Sequence, residues 1–150
     1  MTTTIKAARP QDREAWQMLW RENCAHFGAD GMSETVVDGL WSRILDPSSP
    51  IDAWLAFHGT KPAGLAHTIV HPHSFSLRPV CCLEDLWVSP RHRNRGIATC
   101  LIEHLSALGR QAGWRRLYWE TGLTNTAARH LYDRLATQRP MAIYQIEFPD

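Results

Sequence analysis

The chain has 150 residues, with 16 Lys+Arg against 15 Asp+Glu and a formal net charge of +1. One domain of this length buries roughly 68–70% of its unfolded surface without metal or disulfide staples, and 44% hydrophobic against 21% charged residues excludes intrinsic disorder. The near-neutral balance also argues against a dedicated nucleic-acid binder, whose mark is a strong basic excess.

Residues 3–7 alternate weakly and predict a first strand. Pro10-Gln11-Asp12 opens a helix with Asp12 as its cap, and Trp16, Leu19, Trp20, Cys24 and Phe27 continue it until Gly28 to Gly31. A second apolar stripe follows Ser33 (Val36, Val37, Leu40, Trp41, Ile44 and Leu45) and ends before Pro47-Ser48-Ser49-Pro50. Ile51 to Phe57 predicts a strand, His58 to Pro62 a hairpin turn, Ala63 to His71 its partner, and Val80 to Val88 a further strand stopped by Ser89-Pro90. Between Arg95 and Arg110, Ile97, Leu101, Leu105 and Leu108 recur at helical spacing, with Gly113 as terminator. Arg115 to Glu120 predicts a strand, Asn125 to Leu135 a helix and Met141 to Phe148 a last strand. Consecutive strands pair antiparallel and a strand–helix–strand unit demands a parallel crossover. The order therefore describes an α/β or α+β domain over residues 3–150, a mixed sheet flanked by helices.

The four cysteines, Cys24, Cys81, Cys82 and Cys100, lack the Cys-x-x-Cys spacing of a zinc site and the pattern of a disulfide framework. Reduced thiols and a cytoplasmic location are expected. Met1 to Lys6 lacks a leader's apolar core, and no run approaches the ~18 apolar residues of a membrane span. Gly59 to Gly64 has the glycine spacing of a P-loop, but Leu65-Ala66 and a strand follow it, so nucleotide binding is rejected there. His71 and His73 could face one metal, but no third ligand is identifiable and no metal is expected.

The informative stretch runs from Leu83 to Thr99. A strand carrying Glu84 and Asp85 passes through a loop with Arg91, Arg93 and Arg95 directly into a helix N-terminus at Gly96-Ile97-Ala98. The first turn of a helix offers unpaired N–H groups and the positive end of a dipole, and Gly96 lets an anion approach the backbone. Pyrophosphate is a natural guest, and a solvated basic loop is the plain alternative.

Arg93-x-x-Gly96-x-Ala98 resembles the pyrophosphate signature of the GNAT superfamily of N-acetyltransferases. Leu86-Trp87-Val88-Ser89-Pro90 resembles that family's splayed strand, and Trp119-x-Thr121-x-x-x-Asn125-x-x-Ala128-x-x-Leu131-Tyr132 its second signature. The closing segment with Tyr144 looks most like the histone/polyamine acetyltransferase-like branch. The resemblance implies the family's fold, a mixed sheet with a splayed strand, and acetyl-CoA as co-substrate. It implies that backbone groups of Leu86, Trp87 and Val88 meet the pantetheine arm. Those of Arg93, Asn94, Arg95, Gly96, Ile97 and Ala98, with Thr99, would cradle the pyrophosphate. It gives Asn125 a hydrogen bond to the pantetheine and Tyr132 the role of acid toward the departing thiolate. An amine must shed protons around its attack, so a base or water chain is needed as well. Glu84 and Asp85 are the candidates, and because neighbouring strand residues face opposite ways, one of them faces the cleft. Glu120 is a weaker candidate.

The expected activity is direct acetyl transfer to a small-molecule primary amine such as a polyamine, an amino acid or an aminoglycoside. Acids on the first two helices and the turn between them (Glu22, Asp30, Glu34, Asp38), with His26, hint at a cationic acceptor. A protein amine, or a non-catalytic acetyl-CoA-binding module, remains the alternative. Ala136-Thr137 stands where the family usually has Gly-Phe. One strand after the last helix, where the family often has two, leaves a sheet edge to cover; a homodimer through the C-terminal segment is the expectation.

Overall fold

The computed structural model describes residues 2–150. These fall into two compact units, the first ending at Trp119 and the second spanning Glu120–Asp150.

The first unit contains β1 (Thr3–Ala7), α1 (Arg13–His26), α2 (Glu34–Leu45), β2 (Ile51–His58), β3 (Lys61–His71), β4 (Val80–Val88), α3 (Ile97–Ala112) and β5 (Leu117–Tyr118). The strands form one sheet in the order β1-β2-β3-β4-β5, antiparallel up to β4 and parallel between β4 and β5. The mixed sheet and its α3 crossover are as the sequence predicts.

Local chemistry sets the boundaries. Pro10–Asp12 forms a 3-10 turn ahead of α1, and the Asp12 carboxylate accepts the Arg9 N–H and the Lys6 ammonium, each at 2.8 Å. Ser33 caps α2, its hydroxyl oxygen accepting the Val36 N–H at 3.3 Å. Gly113 ends α3. On one face of the sheet α1 and α2 pack Trp16, Leu19, Val37 and Trp41 against Ala53, Leu55, Leu65 and Trp87. Complete burial of a leucine such as Leu19, Leu55 or Leu65 stabilises by about 1.5–3 kcal/mol each. α3 covers the other face so closely that a Cβ on Gly64 would stand 3.0 Å from Ile97 Cγ2.

Two features of β4 position the site. His67 pairs with Asp85 and Thr68 with Leu83, which leaves Glu84 as the extra residue of a β-bulge. The bulge puts Asp85 on the face shared with α1 and Leu83 on the other, and it bends the strand. β5 is the second feature: the sequence predicts residues 115–120, but only Leu117–Tyr118 forms, opposite Cys81 and Cys82. The β4–β5 ladder stops just short of the bulge.

The second unit contains α4 (Thr126–Leu135), and no side chain in it is fully buried. The last strand expected at Met141–Phe148 does not form. Residues 136–150 are irregular, and Met141, Ile143, Tyr144, Ile146 and Phe148 are between 66% and 91% exposed. A strand needs a neighbour for its backbone N–H and C=O groups, and the unit that holds this segment contains no strand.

Candidate active site

The Ser89 N–H donates to the Ala63 carbonyl at 2.9 Å. The alternation of an antiparallel ladder then turns the backbone N–H and C=O of Val88 and Leu86 away from β3. They face the side on which β5 has already ended. Trp87, between them, turns its backbone groups to β3 and buries its indole beneath α1, where its N–H donates to Glu22 at 3.2 Å, so neither its backbone nor its ring faces the outer edge. The Arg93 guanidinium covers the Trp87 ring at 5.0 Å and donates to the Val88 carbonyl at 3.2 Å.

Past a 3-10 turn at Pro90–His92 the chain reverses through left-handed conformations at Asn94 (φ 61°) and Gly96 (φ 73°) before entering α3. The first residue to donate within α3 is Cys100, to the Gly96 carbonyl at 2.9 Å, so the N–H groups of Ile97, Ala98 and Thr99 have no acceptor inside the helix. Nothing lies within 4 Å of where a Gly96 Cβ would stand. Glycine is required here for its backbone conformation, and the space before the helix end is open to a ligand. Ile97 sends its side chain into the core, leaving its N–H at this surface, and Arg91, Arg93 and Arg95 are exposed around it. Arg95 donates to Nδ1 of the buried His92 at 3.3 Å, and burial, then the Arg95 charge, pushes the neighbouring His58 down. The geometry and positive field fit a pyrophosphate.

Of the two adjacent acids, Glu84 projects from the bulge and is exposed, with the Cys82 thiol at 3.6 Å. The Asp85 carboxylate sits under α1 with its side chain 27% exposed. Its Oδ2 is 3.0 Å from Nδ1 of His67, a histidine with no exposure at all, and His67 Nε2 accepts the Trp16 indole N–H at 2.9 Å. Sequence reasoning missed His67; its signal was a lone imidazole inside the apolar run Leu65 to Val70. It also missed the tie of Glu22 to Trp87 and Ser89, which no local pattern reveals. Of the other acids on this side of the sequence, Asp38 pairs with Arg13 at 2.6 Å and Glu34 with Arg21, while Asp30 is exposed in the turn between α1 and α2.

In the second unit Tyr132 is half-buried on α4, and burial pushes its phenol up. The Asn125 side chain caps α4, its oxygen accepting the Ala128 N–H and its amide donating to Thr121 Oγ1, both at 3.4 Å. Glu120 is exposed. His71 bonds the Tyr118 hydroxyl at 2.8 Å while His73 lies 3.3 Å from Ser76 Oγ; among the described residues no three His, Cys, Asp or Glu side chains are placed to hold a metal. Burial pushes the Cys81 thiol up to about 12, which disqualifies it as a nucleophile.

The model of the acetyltransferase (GNAT) family matches residues 13–136. A D-amino-acid N-acetyltransferase of Saccharomyces cerevisiae is 31% identical over 143 residues, covering 94% of this chain and 88% of that protein. A thialysine N-epsilon-acetyltransferase of Caenorhabditis elegans is 32% identical over 83 residues, 55% of this chain and 51% of the other. Among solved structures, AAC(6')-Iy in complex with the bisubstrate analogue CoA-S-monomethyl-acetylneamine superposes with a TM-score of 0.85 at 19% identity, over 100% of both chains.

Proposed function

The chain belongs to the acetyltransferase (GNAT) family, and we propose that it transfers the acetyl group of acetyl-CoA directly to the primary amine of a small molecule, best an amino acid. The carrying observation is the β4 edge: Leu86 and Val88 turn their backbone groups to the side β5 has left, in a strand that leads to the α3 N-terminus. An extended amide-bearing arm can pair there while its diphosphate meets the N–H groups from Arg93 to Ala98 and the Thr99 side chain.

Bound acetyl-CoA supplies an acyl thioester, and the residues divide the remaining work. The Val88 N–H is the donor for the developing oxyanion. Tyr132 is the acid for the departing thiolate, and the burial that raises its phenol keeps it protonated at neutral pH. The Asn125 carbonyl oxygen is spent on the α4 cap, so its share in holding the pantetheine falls to the amide nitrogen. Asp85 is the carboxylate that meets the acceptor amine, in preference to Glu84, because it is half-buried and its Oδ1 makes no hydrogen bond among the described residues.

With Glu34, Asp38 and Glu22 already engaged, Asp85 meets the amine without a cluster of buried acids around it, which favours an acceptor with a single ammonium over a polyamine. The D-amino-acid relative supports the choice of an amino acid. The narrower placing in the histone/polyamine-like branch rested on a closing strand at Tyr144 that does not form. Residues 3–150 acting as one domain, a cytoplasmic location, and a homodimer through the exposed apolar row Met141 to Phe148 complete the proposal.

Thiol release from acetyl-CoA, measured with amino acids of both hands, polyamines, aminoglycosides, lysine peptides and arylamines, tests it. Release above the acceptor-free rate, strongest with single amines, is the expected result. A flat panel alongside calorimetric acetyl-CoA binding would replace the reading with a binding module or a macromolecular acceptor.

A further inference from the structure

Trp16, His67 and Asp85 form a buried chain running from α1 through β3 to β4. An indole N–H can only donate, so the bond from Trp16 at 2.9 Å requires the lone pair of His67 Nε2. The single ring proton of the neutral imidazole then sits on Nδ1 and donates to Asp85 Oδ2 at 3.0 Å. An imidazolium would set a second N–H against the Trp16 N–H at a site with no solvent to absorb it. The Trp20 ring closes the remaining side edge-on at 4.9 Å.

We infer that His67 is a positioning residue for acetyl transfer: as the neutral Nδ1–H tautomer locked by Trp16, it orients the Asp85 carboxylate toward the acceptor amine without neutralising it. The inference rests on the reading of Asp85 as the acceptor-facing acid. A lysine or arginine in the place of His67 would hold the carboxylate equally firmly but cancel the charge that recognises an ammonium. Nor does α1 supply that countercharge. Its Arg21 is held by Glu34 and by the Met32 carbonyl at 2.6 Å. The Cys24 thiol is raised by its burial, with the Arg21 charge opposing and the Asp85 charge adding to the rise, and stays neutral. Asp85 Oδ1 makes no hydrogen bond among the described residues, which leaves it for the substrate.

Two substitutions separate the functions of the ring. His67→Asn places an amide N–H near the position of Nδ1 and keeps the donor to Asp85. His67→Gln keeps an acceptor for Trp16 and loses that donor. With D-phenylalanine, L-lysine and spermidine as acceptors, His67→Gln is expected to lose about tenfold or more in kcat/KM for the amine. Its KM for acetyl-CoA should stay within about twofold of wild type, and His67→Asn should recover most of the loss. Equal losses in both variants that follow their melting temperatures would reduce His67 to a core residue and overturn the inference. Imidazole nitrogen NMR of the unaltered protein reads the tautomer without any turnover, so the inference stays open to refutation if the variants fail to fold. The Nδ1–H form is expected, and an Nε2–H or doubly protonated ring overturns it. Asp85→Asn separates this inference from the reading beneath it. Full activity in that variant removes Asp85 from the acceptor site and the inference with it. Impaired Asp85→Asn beside an unimpaired His67→Gln retains the reading and removes only the inference.

Discussion

Glu22 on α1 holds Trp87 on β4 across 65 positions of sequence, accepting the indole N–H at 3.2 Å and, through its other oxygen, the Ser89 hydroxyl at 3.1 Å. The bond ties α1 to the end of the strand whose outer edge is the proposed acetyl-CoA site. Glu22→Ala leaves a buried indole N–H and a buried serine hydroxyl without an acceptor, which costs about 1–3 kcal/mol. Thermal melting should show that loss, and KM for acetyl-CoA should rise because β4 is freer at Leu86 and Val88. A lower melting temperature with unchanged KM would separate this tie from the site.

Gly96 stands at φ 73° where α3 begins. A β-branched residue there carries a left-handed penalty of about 1–2 kcal/mol, and its side chain would also fill the space before the helix N-terminus. Gly96→Val should abolish acetyl-CoA binding in calorimetry, with Gly96→Ala intermediate. Intact affinity in the valine variant would contradict the cradle.

Tyr132→Phe should lower kcat by about a hundredfold or more, the span of a general acid, and leave acetyl-CoA affinity near wild type. Burial raises the phenol above its usual 10.0, so the neutral, proton-donating form persists to higher pH than in an exposed tyrosine. Any alkaline loss of kcat that vanishes in Tyr132→Phe should therefore lie above pH 10. A loss at lower pH that depends on Tyr132 would show a different environment for the phenol.

The legibility of the chain follows from how local each signal is. The α3 stripe, the second apolar stripe after Ser33 and the strand running into Gly96 are written in contiguous residues and stand as read, and the hairpin read at His58 to Pro62 forms with its second strand already begun at Lys61. Asp85 against Glu84 could not be decided from alternation, because the bulge at Glu84 breaks the two-residue period where the decision lies. His67 becomes a partner of Asp85 only when β3 pairs with β4, and Glu22 a partner of Trp87 only when α1 packs on the sheet. Met141 to Phe148 fails for the opposite reason: its pattern is local, but a strand also requires a neighbour that its own unit does not provide.

Asp12 joins β1, the turn before α1 and α1 itself, and its charge makes stability depend on pH. Burial opposes the charge, but the hydrogen bond from Lys6, the Arg9 N–H and the positive charges of both side chains outweigh it, so the carboxyl lies below its usual 3.8. A lowered folded value means that the unfolded chain binds the proton first as pH falls. The contribution is therefore complete above pH 3.8 and disappears as pH drops through the lower folded value. Asp12→Asn mimics the protonated carboxyl and should be less stable at neutral pH by about 1–3 kcal/mol, the range for hydrogen bonds to a charged group. Urea unfolding of both proteins from pH 7 downward should show the gap closing below about pH 4. Taking the difference between the two proteins cancels Asp52, whose carboxyl burial raises in the opposite direction. A gap that stays constant down to pH 2 would mean that the charge on Asp12 contributes nothing and that only its shape holds the turn.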